Sequence, residues 1–196
     1  MSTLNSDHQS LQGFLSAIHP VSQPVLQAYS EAWQPFSAPR KTILTAAGDT
    51  ERYMYFVLDG LQKGYYLADA KMHVMAFTYP PSFSGIPESF LRQVPSNSYL
   101  ETVTDSRFLR ISHATHTELM VQHREIETLF RIAAELFIVG FMERYFQLMA
   151  FPMRERFEAF MKRSAHLINL VPHKDLASYL RIDPTNFSKL LAEVRV

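Results

Sequence analysis

Four polar side chains near the C-terminus share one face of a short helical run and could bind a ligand together. In the run PTNFSKLL, Phe187, Leu190 and Leu191 fall on one face at helical spacing, so the polar groups of the run point the other way. Hydroxyl, amide and ammonium groups form hydrogen bonds with polar partners, which makes this face the first candidate for binding. The polar residues are Thr185, Asn186, Ser188 and Lys189.

Two short helices with a tight turn between them would position this face. The run KDLASYL places Leu176, Ala177 and Leu180 on one side of a first helix. Asp183 before Pro184 marks the start of the second helix, because aspartate caps a helix N-terminus and proline suits its first position. The pair has the shape of a helix-turn-helix, whose second helix lies in a DNA major groove, and equally that of an ordinary αα-hairpin. The motif alone does not choose between them.

Histidines offer the other possible chemistry. His113 and His116 in HATH, followed by His123, have a spacing that could hold a metal ion, but little carboxylate lies nearby and solvated helix-cap residues are the favoured interpretation. The block 41–111 contains a single histidine, His73, so the several histidines of a metal-binding cupin are missing. There is no Gly-rich phosphate loop, nucleophile elbow or paired-carboxylate motif. We therefore predict no metal, no cofactor and no catalysis.

Composition predicts a folded, soluble protein. Of 196 residues, 47% are hydrophobic and 19% are charged, which is the profile of a globular chain with a sizeable core. The absence of cysteine excludes disulfides, zinc knuckles, iron–sulfur ligation and cysteine catalysis. No apolar run approaches the roughly 18 residues of a membrane helix, and no leader opens the chain. We expect a cytoplasmic location and no membrane partner.

Charge divides the chain, although its net charge is zero. Residues 1–151 carry 11 Lys/Arg against 14 Asp/Glu, whereas residues 152–196 carry 8 Lys/Arg, Arg195 among them, against 5 Asp/Glu. The candidate helix pair therefore lies in the only basic part of the chain, with a net charge of +3. Contacts to a phosphate backbone require such a bias.

The first 116 residues predict a β-barrel preceded by helices. SLQGFLSAI and QPVLQAYSEAW have helical spacing, and six β-rich runs separated by turn signals follow between residues 41 and 111. Short strands at this spacing favour an antiparallel barrel or jelly roll. The six runs are KTILTA, MYFVLDG, KGYYLA, HVMAFTY, SYLETV and RFLRI.

A proline-free stretch at 117–149 predicts one helix about 50 Å long, at 1.5 Å per residue. Apolar and small residues repeat along it as in a coiled-coil seam. The helix could pack on the chain's own barrel, but a barrel of this size cannot cover so long a helix, which favours a homodimer. The seam consists of Leu119, Ile126, Leu129, Ala133, Leu136 and Gly140.

FPMR at 151–154 interrupts this helix before the terminal helix pair. The predicted class is α+β in three parts: an antiparallel β-barrel domain with N-terminal helices at 1–116, a dimerisation helix at 117–150, and a helix-turn-helix domain at 151–196.

This order of elements resembles the Crp–Fnr family of bacterial transcription regulators, from about residue 40 to the end. The stretch LTAAGDTERYMYFVLDGLQKGYY is similar to the family's opening hairpins, with Gly48, Tyr55 or Phe56, and Gly60 at the recurring positions. The stretch HKDLASYLRIDPTNFSKLLAEV is similar to its DNA-reading element. Within it, ASYL-x-I-x-P-x-x-x-S resembles the branch common in Bacteroidetes.

The resemblance implies a homodimeric regulator with a cyclic-nucleotide-binding-like sensor barrel. Its second helices, Asp183 to Val194, would address the half-sites of a palindromic operator in double-stranded DNA, and RNA polymerase would be a further partner. Asparagine can pair with adenine, and lysine can donate to guanine or to phosphate. The implied DNA contacts are Thr185, Asn186, Ser188 and Lys189, with Lys174 and Arg181 at phosphates.

Two features depart from the family pattern. Arg181 occupies a turn position that is usually glycine, and a residue with a Cβ costs roughly 1 kcal/mol in a left-handed turn. Because the chain ends at Val196, no β-hairpin wing is expected after the second helix. These departures keep a second interpretation open: a dimeric ligand-binding or scaffold protein of the same architecture that does not bind DNA.

The resemblance also bears on the effector. Members of the family that bind cyclic nucleotides use a barrel loop in which an arginine after a proline pairs with the phosphate. Aligned on Pro95, that arginine becomes Ser96, and the position of the ribose-binding glutamate falls on Pro87. A buried anion would lack its guanidinium, so cyclic AMP is not expected and the effector stays open. The candidate effector-pocket residues are Gly85, Glu88, Arg92, Ser96, Asn97 and Tyr99.

Overall fold

The computed structural model describes residues 2–194 and confirms the predicted α+β class, with an antiparallel jelly roll, a long helix and C-terminal helices. The helices are α1 (Ser2–Ile18), α2 (Gln23–Glu31), α3 (Pro87–Arg92), α4 (His113–Gln122), α5 (Arg124–Ala150), α6 (Met153–Ser164), α7 (His173–Leu180) and α8 (Pro184–Val194), with a 3-10 helix at Ala165–Asn169. The strands are β1 (Gln34–Ala38), β2 (Ile43–Thr45), β3 (Tyr53–Asp59), β4 (Gln62–Ala68), β5 (Lys71–Thr78), β6 (Ser82–Ser84), β7 (Tyr99–Thr102) and β8 (Ser106–Ser112).

The strands form two four-stranded sheets with the orders β1-β8-β3-β6 and β2-β7-β4-β5. Each of the six β-rich runs in the sequence overlaps one strand, whereas β1 and β6 were not predicted. Pro35 lies inside β1, and a proline there is compatible only with an edge strand, which is where β1 lies. β6 has only three residues, too few for an alternating pattern to be visible.

The pairing of β3 with β8 buries both faces of the sheet. Phe56 lies opposite Leu109 on the outer face, and Tyr55 lies opposite Arg110 on the inner face. The outer face packs against helices in a core that comprises Leu11, Leu15, Leu26, Tyr29, Trp33, Phe56, Leu109, Ile111, Ile126 and Leu129. The inner face belongs to a second core inside the barrel, which comprises Ala38, Tyr55, Val57, Ile86, Leu100 and Phe108.

Two compact units make up the chain. The barrel unit consists of Met1–Gly64 and Phe77–Leu136, and the C-terminal unit of Tyr65–Ala76 and Phe137–Val196. The predicted dimerisation helix is therefore shared between the two units, and the tip of the β4–β5 hairpin belongs to the second of them. Met1 and residues 195–196, including Arg195 of the basic segment, lie outside the described residues.

The long helix predicted at 117–149 is interrupted, which corrects the sequence analysis. His123 is extended, with φ −128° and ψ 100°, and its carbonyl accepts the Ile126 N–H at 2.9 Å at the start of α5. The helical phase therefore does not continue from α4 into α5. Neither proline nor glycine occurs at this break, so the sequence pattern carried no sign of it.

Candidate nucleic-acid interface

A left-handed residue, Arg181, joins α7 to α8. It has φ 52° and ψ 45°, the conformation expected at a position that is usually glycine. Its N–H donates to the Ser178 carbonyl at 3.0 Å, and the Ile182 N–H donates to the Ala177 carbonyl at 2.9 Å. These two bonds form a Schellman motif, which satisfies the carbonyls at the end of α7. The turn therefore makes both hydrogen bonds of the motif although it contains no glycine.

Asp183 caps the second helix, as the sequence predicts. Its Oδ1 accepts the Thr185 N–H at 2.8 Å, and its carbonyl accepts the Phe187 N–H at 2.9 Å. Pro184 takes the first helical position, where no intrahelical N–H bond is needed. The cap and the preceding turn together determine the direction in which α8 leaves the junction.

The apolar face of α8 is buried against α6 and α7. Phe187 is fully buried, and its ring centroid lies 5.6 Å from that of Phe157 on α6. Leu190 and Leu191 are buried beside it, as are the apolar positions of α7. This burial determines the rotation of α8 about its axis, so the opposite face must be directed to solvent.

The outward face of α8 carries the predicted DNA contacts. Thr185, Ser188 and Lys189 are exposed, and Asn186 is partly buried. The Ser188 hydroxyl donates to the Pro184 carbonyl at 3.0 Å, so its proton is used within the helix. Lys189, Asn186 and the Thr185 hydroxyl therefore offer the donors that are free to reach outward. Lys174 and Arg181 are exposed as well, at the two ends of α7.

Several other basic residues of this unit serve its own structure. Arg156 donates from Nη1 to the Phe151 carbonyl at 2.8 Å and from Nη2 to the Arg181 carbonyl at 3.1 Å. Arg154 pairs with Glu193. The positive charge available to a partner is therefore smaller than the count of eight Lys/Arg suggests. Lys174, Arg181 and Lys189 carry it on α7 and α8, and Lys162 and Arg163 are exposed on α6.

Arg144 packs against Tyr179 at the end of α7. Its guanidinium lies 4.0 Å from the Tyr179 ring centroid and donates to the Tyr179 carbonyl at 2.7 Å. Burial lowers the pKa of Arg144 from its ordinary value. This arginine, which belongs to α5, is thus a packing residue and not a phosphate contact.

The tip of the β4–β5 hairpin contacts α7 through Ser178. The Val74 N–H donates to the Ser178 hydroxyl at 3.0 Å, and that hydroxyl donates to the Met72 carbonyl at 3.2 Å. β5 ends its sheet order, so these backbone groups lie on an edge strand. One side chain of α7 therefore supplies two of the hydrogen bonds of this strand.

The predicted dimer seam is divided by the structure. Ile126 and Leu129 are fully buried in the barrel-unit core, and Leu119 is partly buried against the same core, so these three are occupied by their own chain. Ala133 is partly buried, whereas Leu136 and Gly140 are exposed. The exposed apolar surface begins at Leu136 and includes Phe137, Ile138, Val139, Phe141, Met142, Tyr145, Phe146 and Met149.

Of the six residues proposed for an effector pocket, only Ser96 is buried. Its N–H donates to the Asp49 carbonyl, its carbonyl accepts the Gly48 N–H, both at 2.8 Å, and its hydroxyl donates to the Ser98 carbonyl at 2.9 Å. Ser96 therefore holds its own loop together. Glu88, Arg92 and Asn97 are exposed, and Gly85 and Tyr99 are partly buried.

A polar cluster inside the barrel escaped the sequence analysis. Glu51 is 1% exposed and lies near Tyr55. Burial raises the pKa of Tyr55, the nearby Glu51 raises it further, and Arg110 opposes the rise. Glu51 precedes β3 in a loop, so no periodicity marked it as buried. Arg110 follows the period-2 alternation of β8, and that signal could have identified it as inward-facing.

The three histidines do not form a metal site. His116 is buried, its Nδ1 lies 2.8 Å from the Tyr29 hydroxyl, and burial lowers its pKa to about 4. Among the described residues, no group of three or more potential ligands is close enough to hold a metal ion. Nor is any helix within residues 2–194 sufficiently long and apolar to cross a membrane.

Comparison with known proteins identifies the architecture through structure and not through sequence. No protein-family model matches the chain, and no curated protein matches its sequence. Solved structures do match it. FixK2 from Bradyrhizobium japonicum superposes with a TM-score of 0.70 at 16% identity, over 83% of this chain and 84% of that one.

Two further regulators share the fold. The c-di-GMP-responsive global regulator CLP from Xanthomonas campestris gives a TM-score of 0.64 at 14% identity, over 89% of this chain and 92% of that one. The catabolite activator protein of Thermus thermophilus gives 0.57 at 16% identity, over 91% and 85%. The fold is therefore that of Crp–Fnr-family regulators with cyclic-nucleotide-binding domains.

Proposed function

We propose that this chain is a homodimeric, DNA-binding transcription regulator of the Crp–Fnr kind. The observation that carries the proposal is the geometry of α8: its apolar face is buried, its start is capped by Asp183, and its exposed face presents Asn186 and Lys189. Helices held in this way by a helix-turn-helix enter the major groove. The regulators that share the fold support this assignment, and the Bacteroidetes branch stays a prediction.

The dimer would form through the exposed apolar surface of α5. A single chain rarely exposes so many large apolar side chains on one helix, because leaving them in water is unfavourable. Phe137 and Phe141 stack on each other with centroids 6.3 Å apart, one turn apart on the helix. A second copy of the same helix would cover them, and two copies related by a two-fold axis would present two α8 helices to a palindromic operator. RNA polymerase is the further partner that we expect.

Cyclic AMP is not part of the proposal. The loop position that would supply a phosphate-binding arginine is Ser96, which is buried and bonded to its own loop. Adding cyclic AMP should therefore change neither the melting temperature nor the affinity for DNA.

The test is selection of DNA fragments from the source genome by the purified protein at near-physiological salt. We expect a palindromic consensus with half-sites about one helical turn apart. The double variant Asn186→Ala, Lys189→Ala should bind it at least about tenfold more weakly, because each good base contact contributes roughly 1–3 kcal/mol.

A matched control uses the same two residue types elsewhere in the unit. Lys162 and Asn169 are exposed and lie outside α8, so Lys162→Ala, Asn169→Ala should leave the consensus and the affinity unchanged. Binding without a consensus, equal in both double variants, would instead favour the dimeric ligand-binding or scaffold protein.

A further inference from the structure

The inner face of the barrel holds a guanidinium without a counter-charge. Arg110 faces inward on β8, and its guanidinium carbon lies 4.1 Å from the Phe36 ring centroid and 4.3 Å from that of Tyr53. Its Nε is buried without a hydrogen-bond partner. In the part of the chain that the structure describes, no carboxylate oxygen lies within 4.0 Å of this side chain. The two rings fix the orientation of the cation but do not neutralise it.

A carboxyl group with one unused oxygen lies in the same interior. The Glu51 N–H donates to the Ser89 hydroxyl at 2.9 Å, and its carbonyl accepts the Gln93 amide at 3.0 Å. Its carboxyl group accepts hydrogen bonds from the Thr45 side chain and from backbone N–H groups, yet Oε2 has no partner. A side chain 99% buried with an unsatisfied oxygen needs a specific reason, because such a group costs free energy.

Tyr55 connects the two groups. It lies opposite Arg110 in the β3–β8 pairing, and its side chain is hydrogen-bonded to that of Arg110. Burial raises the pKa of its hydroxyl, and the nearby Glu51 raises it further. Phe108 completes the wall, with its ring centroid 5.4 Å from that of Tyr55. The cluster has a partly exposed side and a buried side. Arg110, Phe36 and Tyr53 are partly exposed, whereas Glu51, Tyr55 and Phe108 are buried.

We infer that this cluster binds a small organic monocarboxylate that carries a hydrogen-bond donor at its other end, with the carboxylate on Arg110 and the donor on Glu51 Oε2. A guanidinium and a carboxylate match as planar partners in two parallel hydrogen bonds. The aromatic walls favour a flat ligand between the two polar ends.

Among the residues that the structure describes, Arg110 is the one cation of this interior without a carboxylate partner, which argues for a monoanion and against a dianionic phosphate. Lys63, a buried cation of this unit, is paired with Glu101 at 3.7 Å and is therefore already neutralised. A phosphate dianion at Arg110 would keep one uncompensated charge in the interior, which is costly. The inference rests on the proposed function because the ligand would be the effector of the regulator. Binding of the ligand is nevertheless measured without DNA.

The first experiment measures binding of 4-hydroxybenzoate to the full-length protein by calorimetry and by the shift in melting temperature. We expect one saturable site per chain. Benzoate, which lacks the donor, and 4-hydroxybenzyl alcohol, which lacks the carboxylate, should each bind at least about tenfold more weakly, because each loses the hydrogen bonds at one polar end of the site. Inorganic phosphate should give no shift.

Variants assign the two ends of the ligand. Arg110→Gln should abolish binding, whereas Arg107→Gln, on the opposite face of the same strand and 52% exposed, should not change it. Because a change at Arg110 could disturb the core, Glu51→Gln provides a second readout: it should change the ratio of 4-hydroxybenzoate to benzoate affinity while both still bind.

Three outcomes overturn the inference: no saturable binding of either carboxylate, binding that Arg110→Gln leaves intact, or phosphate binding as strong as that of 4-hydroxybenzoate. None of these depends on whether the protein selects DNA. Failure of the ligand site and failure of the proposed regulator are therefore seen in separate assays.

Discussion

Replacing Arg181 by glycine separates the backbone and side-chain roles of one residue. Arg181 adopts φ 52° in the turn between α7 and α8, and its side chain is exposed. The left-handed conformation costs an ordinary residue about 1–2 kcal/mol, and the freedom that glycine adds to the unfolded chain offsets about 0.5–1 kcal/mol of the gain. Arg181→Gly should therefore stabilise the fold by roughly 0.5–1 kcal/mol, or about 2 °C in melting temperature.

The same variant should weaken DNA binding. If Arg181 contacts a phosphate, removing it lowers the slope of log affinity against log salt by about 0.9 per subunit. Urea unfolding followed by far-UV circular dichroism measures the first effect, and a salt titration of DNA affinity measures the second. The expected result is a protein that is more stable and a poorer DNA binder.

Two control variants divide the effects. Ala70, at φ 58° in the exposed β4–β5 turn, should gain stability on change to glycine with no effect on DNA. Arg181→Lys keeps both the charge and the strained conformation, so the salt slope and the stability should stay as they are. If Ala70→Gly stabilises and Arg181→Gly does not, the strain argument is refuted. An unchanged salt slope in Arg181→Gly would refute the phosphate contact.

Three further predictions concern the dimer and the buried ionisable groups. Phe137→Glu, Phe141→Glu should yield a monomer in analytical ultracentrifugation with at least about tenfold weaker DNA binding, whereas exposed Glu143→Ala should stay dimeric, because only the first change charges the apolar surface. Burial lowers the pKa of His116 to about 4, so on acidification this histidine is protonated in the unfolded chain before it is protonated in the folded protein. The free energy of unfolding should therefore fall by up to about 3 kcal/mol as the pH drops from about 6.5 to 4. In His116→Gln, urea unfolding should show a free energy that depends less on pH. Burial raises the pKa of Glu51 to about 7, so the stability that its protonated form gives the fold is fully present below about pH 4.5 and is lost as the pH rises through 7. Glu51→Gln should remove this loss and make the protein up to about 3 kcal/mol more stable than the wild type above pH 7. Equal stability of the two proteins above pH 7 would contradict the raised pKa.

Local signals in the sequence predicted most of the fold. Alternation and turn residues located six of the eight strands in residues 2–194, and the pair Asp183–Pro184 located the start of α8 to the residue. Strand β1 escaped because Pro35 reads as a loop residue unless the strand is known to lie at an edge. The position of β1 at the edge of its sheet depends on tertiary contacts, and a local sequence pattern does not contain them.

The dimer seam shows the limit of periodicity. Heptad spacing assigned Ile126 and Leu129 to an interface between chains, but the first turns of α5 pack against the barrel-unit core and bury both residues there. The break at His123 separates only Leu119 from the rest of the predicted seam. Apolar spacing predicts that a helix face will be buried, but it does not predict whether the same chain or a second chain buries it. The polar cluster of Glu51 and Arg110 was missed for a related reason: its members are distant in sequence and meet only through the pairing of β3 with β8.

The hydrogen bonds of Ser178 have a consequence for how this protein would fail on heating. Edge strands offer unpaired backbone groups that other chains can extend, and natural proteins cover them to avoid aggregation. Here the Ser178 hydroxyl covers the Val74 N–H and the Met72 carbonyl on β5. If the helices of the C-terminal unit melt first, this edge becomes a template for intermolecular strand addition. Precipitation should then accompany the loss of helix and precede the unfolding of the barrel.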